Sequence, residues 1–238
     1  MNNLFQANKR ESAVDIVVNS IKQLLIERRL KPGDKIPSEL EISEGLGVSR
    51  GSVREAMKIL SAFGIVEVKV GNGTYIVDAP TTAMLDSFLF SFFLLNPGVG
   101  DIYEFRQMFE TDILKLILRH YEENDEERAA LRKNLDALAQ MIKDKAAADD
   151  LADNDIKFHR LLAKASKNLL SERIYNFIID FMEPSIVKTH DHQHGELAYK
   201  VHSQIVSLIE RRDASRIEDV IANSIDTWSI LQPDWETA

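Results

Sequence analysis

Leu46-Gly47-Val48-Ser49-Arg50-Gly51-Ser52-Val53-Arg54-Glu55-Ala56 is the stretch on which the fold turns. Ser49 is placed to cap a helix by accepting a free amide proton of its first turn. Val48 before the cap and Val53 after it stand at hydrophobic-staple spacing. Val53, Ala56, Met57 and Leu60 then fall on one face, while Arg50, Arg54 and Lys58 recur every four residues along another edge. A helix that buries one side and offers arginines on the other suits a groove of duplex DNA. On an arbitrary helix such arginines form a solvated edge paired with a neighbour such as Glu55, so the flanking sequence decides.

Upstream, Ser38-x-x-Glu41 matches a capping box, and the short helix it starts stops near Gly45-Leu46-Gly47. Before that, Ala13, Ile16, Val17, Ile21, Leu24 and Leu25 recur at helical spacing until Pro32-Gly33 ends the element. Downstream, Gly64 closes the third helix. Two β-rich runs, 65–70 and 74–77, follow around Gly71-Asn72-Gly73, a strong hairpin signal. Three helices and a hairpin make a winged helix-turn-helix, expected over residues 1–78.

Asp78-Ala79-Pro80-Thr81-Thr82 reads as a linker, and everything after it reads as helix. The expected segments are 82–95, 99–121, 125–145, 148–166, 169–188, 195–211 and 214–230, separated by breaks such as Asn96-Pro97-Gly98 and Glu123-Asn124-Asp125. Residues 188–196, where His190, His192 and His194 alternate near Asp191, read as a solvated polar loop. Trp228 and the phenylalanine-rich stripe at 88–93 read as core or a subunit interface. The fold class is therefore mainly α: the winged unit, then an antiparallel all-α bundle of six to seven helices over residues 79–238.

With 238 residues, the chain has the length of two domains. It has no cysteine, which excludes disulfides and thiolate metal sites and fits a reducing cytoplasm. The most apolar run, residues 84–95, is too short for a membrane span and is interrupted by Asp86. The N-terminus lacks a signal-peptide pattern, so a cytoplasmic protein is expected. The net charge of −9 divides unevenly. Residues 1–78 hold 11 Lys/Arg and 10 Asp/Glu, a net of +1, and the remaining 18 basic and 28 acidic residues give −10. The acidic excess lies outside the DNA-reading unit. A net of +1 is still a weak electrostatic footprint for DNA, which favours a dimer presenting two copies.

Residues 11–77 resemble the DNA-binding domain of the GntR superfamily of bacterial transcription regulators. The resemblance is carried in order by Leu30-Lys31-Pro32-Gly33-Asp34-Lys35-Ile36-Pro37-Ser38-Glu39, Leu46-Gly47-Val48-Ser49-Arg50, Val53-Arg54-Glu55-Ala56, Gly64-Ile65-Val66 and Gly71-x-Gly73-Thr74. It implies guanine or phosphate contacts from Arg50 and Arg54, and backbone or base-edge contacts at Gly51 and Ser52. The wing at Lys69, Gly71 and Asn72 would reach toward the minor groove. One departure is Leu40, where many relatives carry arginine.

Residues 80–232 resemble the FCD ligand-sensing domain of the FadR-like branch, through Phe105-Arg106-x-x-x-Glu110, Asp155-x-x-Phe158-His159-Arg160 and Val201-His202. The resemblance implies a divalent metal (Zn, Ni or Mn) on Asp155, His159 and His202. Asp155 and His159, four apart, reach one face of a helix, and that donor set suits such ions. The family's last histidine falls at Ser224, a far poorer ligand. Arg106 is expected to grip an anionic effector, with Glu110 beside it; the competing reading is an ion pair between the two.

Together these readings give a cytoplasmic, homodimeric, ligand-responsive transcription regulator. It binds a palindromic operator and answers to a small organic or sugar acid. It is not an enzyme: a metal-dependent hydrolase on Asp155, His159 and His202 would lack an identifiable general base and leave the DNA motifs unexplained. A constitutive DNA-binding dimer whose sensing site has decayed is the other alternative.

Overall fold

The computed structural model describes residues 11–79, 90–91 and 94–230, with the side chains at 191–193 and 226–230 outside the description. The chain divides into two compact units, Met1–Leu94 and Leu95–Ala238. The expected helix at 82–95 and residues 80–82 of the linker lie largely outside the described residues, as do the side chain of Trp228 and most of the aromatic stripe.

The first unit holds α1 (Ala13–Ile26), α2 (Glu39–Leu46), α3 (Arg50–Ala62), β1 (Val66–Lys69) and β2 (Gly73–Ile76). Ser38 and Glu41 form the capping box that starts α2, and Gly47 ends it in the left-handed conformation, φ 65°. Ser49 Oγ accepts from Ser52 N at 3.0 Å and starts α3. β1 and β2 pair antiparallel from Val66 opposite Ile76 to Lys69 opposite Gly73. The tip is therefore Val70-Gly71-Asn72, one residue earlier than expected. Gly73 has φ +119°, a conformation that calls for glycine; a Cβ there would meet only the flexible end of Lys35, Cε at 2.7 Å, which can move aside. Asp34 and Ile36 bond β2 from its other side, widening the wing. Val17, Ile21, Ile36, Val53, Met57, Leu60, Val66 and Ile76 form one buried cluster. Burial of this shared set is what fixes helices and wing together.

The second unit has six α-helices among the described residues. They are α4 (Val99–Arg119), α5 (Asp125–Lys143), α6 (Ala148–Ala165), α7 (Leu169–Gln193), α8 (Glu196–Arg211) and α9 (Ile217–Ile230). α6 packs between α5 and α7, α4 packs on α9, and α8 meets α5 and α9. Asn124, fully buried, ties helix ends together: its Nδ2 donates to Ile117 O at 3.0 Å and Ala165 O at 2.9 Å. A lone buried amide would be costly, and here both of its protons are used.

α7 corrects the expected loop at 188–196. The helix continues to Gln193 and ends on His194 (φ 48°) and Gly195 (φ 79°). Its buried stripe Ile179, Met182, Ile186 and His190 keeps helical spacing to the end. Pro184 lies inside the helix but is exposed, so it removes one rung without ending the element. Gly195 lies in the left-handed region that favours glycine, and a Cβ there would sit tightly against Ile142 Cγ1 and Leu151 Cδ2, each at 3.1 Å. No helix among the described residues is long and apolar enough to cross a membrane.

Candidate functional site

In the winged unit, the cap at Ser49 starts α3 at Arg50, so Arg50, Gly51, Ser52 and Arg54 occupy its first turns. Val53, Ala56 and Met57 are buried on the opposite face, and both arginines are exposed. Arg54 grips Glu39 of α2 rather than Glu55: Nε donates to Oε1 at 3.4 Å and Nη2 to Oε2 at 3.1 Å. Ser52 Oγ lies 2.9 Å from Ser49 Oγ, extending the cap. At the wing, Lys69 Nζ is 2.7 Å from Glu67 Oε1 and 4.6 Å from the centre of the Tyr75 ring. Gly71 and Asn72 are exposed at the tip.

In the bundle, Arg106, Asp155, His159, His190, His202 and Ser224 line one small cavity of about 70 Å3. Its remaining wall is largely apolar, from residues such as Ile179, Met182, Ile186 and Val201. An apolar cleft with a few convergent polar groups is the usual form of a small-molecule site.

Asp155 and His159 project from α6, and His202 comes from α8. One donor atom from each lies within 4.8 Å of the others. Asp155 Oδ1 is 3.3 Å from His159 Nε2 and 3.2 Å from His202 Nε2, yet it accepts a hydrogen bond from neither. Two ring nitrogens close to a carboxylate oxygen but not aimed at it suit donors converging on a common point. A cation there would be held by one oxygen and two imidazole nitrogens, a set that fits Zn, Ni or Mn. For His159 to ligate through Nε2, its proton must sit on Nδ1. Tyr175 Oη lies 2.8 Å from that atom, ready to accept it. The Phe158 ring stacks on His202, centroids 3.7 Å apart and planes 11° from parallel, which fixes the imidazole plane.

The protonation states agree with this arrangement. Burial alone would raise the Asp155 carboxyl, but His202 first, then His159 and His190, outweigh it and hold Asp155 well below the ordinary carboxylate value. Burial lowers His202, against the pull of Asp155, and favours its neutral, ligating form. Burial, reinforced by the Glu110 charge, pushes Tyr175 well above the usual phenol value, so it keeps its proton.

Arg106 lines the cavity and donates from Nε to Glu110 Oε1 at 2.8 Å, with both side chains buried. Glu110 is not part of the cavity wall; it holds the guanidinium from within the protein. Ser224 contributes a hydroxyl to the wall.

His190 requires a correction. It is not in a solvated loop: it is 1% exposed, and its Nε2 lies 2.8 Å from Asp155 Oδ2. Sequence reasoning also passed over Tyr175 and Glu39. His190 was detectable, since Ile179, Met182, Ile186 and His190 continue one helical stripe. No comparable local signal marks Tyr175 or Glu39.

Two family models match the chain. "Bacterial regulatory proteins, gntR family" covers residues 14–76, and "FCD domain" covers residues 101–227. The HTH-type transcriptional repressor NanR of Salmonella schwarzengrund (strain CVM19633) is 28% identical over 233 residues, spanning 93% of this chain and 86% of that protein. The protein of the same name from Salmonella newport (strain SL254) is also 28% identical, with 93% and 87% covered. Among solved structures, "Streptococcus agalactiae GntR" is similar with a TM-score of 0.60 and 25% identity, over 91% of this chain and 99% of that one.

Proposed function

Because this chain belongs to the GntR family of bacterial regulatory proteins and carries an FCD domain, we propose that it is a homodimeric, FadR-like operator switch governed by a small carboxylate. It is a ligand-responsive transcription regulator and not an enzyme. Residues 1–78 serve as the DNA-reading domain and residues 79–238 as the sensing and dimerisation domain, in the cytoplasm. Arg50 and Arg54, with Gly51 and Ser52, meet the major groove, and Lys69, Gly71 and Asn72 bring the wing to the duplex. A two-fold dimer calls for a palindromic operator.

In the bundle, Asp155, His159 and His202 hold a divalent metal (Zn, Ni or Mn). When bound, the metal supplies a positive charge that attracts an anionic ligand. Arg106, kept in place by Glu110, supplies a second cationic group for an organic or sugar acid. The effector acts by preferring one arrangement of the two DNA-reading heads over another.

The observation that carries this reading is a single cavity that joins a guanidinium to an ionised aspartate and two histidines. The test is operator mobility shift together with thermal shift across organic and sugar acids, each with and without Zn2+. A member of that class is expected to raise Tm and change operator affinity. If no acid does either, the chain binds DNA constitutively and the sensing reading fails.

A further inference from the structure

We infer that His190 is a positioning residue for this metal site: it clamps the far oxygen of Asp155 and so fixes where the near oxygen points. The inference rests on the metal reading above.

Asp155 divides its two oxygens between different neighbours. Oδ1 stands beside His159 Nε2 and His202 Nε2. Oδ2 lies 2.8 Å from His190 Nε2. The group of mutually close donor atoms comprises Asp155, His159 and His202 and does not take in His190. His190 thus bonds to a ligand without sharing the point on which the ligands converge. A carboxylate rotates about its own axis, and a free one presents either oxygen equally. A ring N–H bound to Oδ2 removes that freedom and reserves Oδ1 for the cation. With the His190 proton on Nε2, its Nδ1 carries a lone pair, and that atom is buried with no hydrogen-bond partner. The ring is therefore held by one polar contact and by packing: it is 1% exposed, at the end of the stripe formed by Met182 and Ile186. The clamp also brings a third helix to the site, since Asp155 is on α6, His202 on α8 and His190 on α7. Partners that orient a ligating carboxylate typically govern metal affinity by about 10–100-fold.

The test measures Zn2+ affinity of the full chain by competition with a chromophoric chelator, for wild type, Asp155→Ala, His190→Leu and His190→Gln. Co2+ spectra are recorded on the same proteins. Asp155→Ala is expected to lose measurable binding. His190→Leu should weaken Zn2+ binding about 10–100-fold, while His190→Gln, which keeps a buried N–H donor, stays within a few fold. The visible Co2+ bands should be the same in every His190 variant that binds, because the ligating atoms are unchanged. Thermal melts of the metal-free proteins separate lost folding from lost orientation. Should His190→Leu fail to fold, imidazole 15N shifts of the wild type carry the test. Adding Zn2+ is then expected to move His159 and His202 strongly while His190 keeps its Nε2 proton.

Three results overturn the inference. In the first, His190→Leu holds Zn2+ as tightly as wild type while Asp155→Ala does not. In the second, His190→Gln loses as much as His190→Leu and alters the Co2+ bands, or His190 gives up its Nε2 proton on adding Zn2+; His190 would then itself be a ligand. In the third, the wild-type chain takes up no Zn2+, which removes the metal reading and the role of His190 with it.

Discussion

Arg54 in the winged unit and Arg106 in the bundle each hold a glutamate, at 3.1 Å and 2.8 Å. The chemistry is the same and the surroundings are opposite. The Arg54 and Glu39 side chains are 57% and 36% exposed; those of Arg106 and Glu110 are 6% and 3% exposed. Water competes for the first pair at every moment, so that pair separates at little cost and leaves Arg54 available to a base or phosphate. The second pair is almost wholly covered by the protein around it. Breaking it takes a carboxylate away from a buried guanidinium, which is costly, so the pair holds the guanidinium in place. Exposure rather than geometry distinguishes an arginine that exchanges partners from one that waits in place.

The sharpest way to break this contrast is to remove each glutamate. Glu110→Ala leaves the Arg106 Nε without the carboxylate it donates to. The expected cost is about 3–5 kcal/mol of folding stability, read from urea unfolding of the full chain. A loss below about 1 kcal/mol would mean that Arg106 behaves like a surface arginine, and the comparison would fail.

Arg54→Ala comes next. It is expected to lower operator affinity about 10- to 100-fold and to reduce the salt dependence of binding by about one ion. Unfolding should be unchanged, because the side chain it removes is solvated. A folded variant with wild-type operator affinity would reject Arg54 as a reader of DNA.

How much of this was legible follows the distance over which each contact is made. The winged unit is written in local signals. The Ser38–Glu41 box, the Ser49 cap and the glycines at 47 and 73 each act within a few residues. Asp155 and His159 were legible for the same reason, being one helical turn apart. His202 joins them only through the packing of α8, which no spacing along the chain encodes, and it came from family resemblance. Tyr175 is 16 positions from the histidine it meets, and Glu39 is 15 from Arg54. His190 was missed differently. Three alternating histidines beside an aspartate have the polarity of a loop, and that composition hid a helical stripe. A polar residue that continues an apolar stripe into a core is buried for a partner, and here the partner is Asp155, 35 positions earlier.

Glu127 sharpens the comparison with an intermediate case. It is buried, with Lys167 Nζ at 2.7 Å and Lys164 Nζ at 3.7 Å, both cations reaching in from more exposed positions. Burial alone would raise its carboxyl, but the close Lys167 ammonium, with smaller help from the backbone and from Lys164, outweighs it and leaves the value lowered from 4.5. A lowered folded value means stability that is present above the unfolded value and lost as pH falls through the folded one. Glu127→Gln should therefore reduce Tm by about 2–4 °C at pH 7, with the gap to wild type closing below about pH 4. A gap that stays constant with pH would assign the loss to packing rather than charge.

The smallest effect tests whether Glu39 merely parks Arg54 or aims it. Glu39→Gln removes a negative charge beside the arginine and leaves the amide able to accept a hydrogen bond. If the pair is only a resting contact, the substitution raises affinity for any duplex by a few fold, because one repulsion toward phosphates is gone. The ratio of operator to non-specific affinity then stays constant. If Glu39 instead holds the guanidinium at the angle needed to meet a guanine edge, operator affinity falls while non-specific affinity rises, and the ratio drops by about tenfold. Fluorescence anisotropy with operator and scrambled duplexes, at two salt concentrations, separates these outcomes. The exposed pair favours the first, since a contact shared with water orients a side chain weakly.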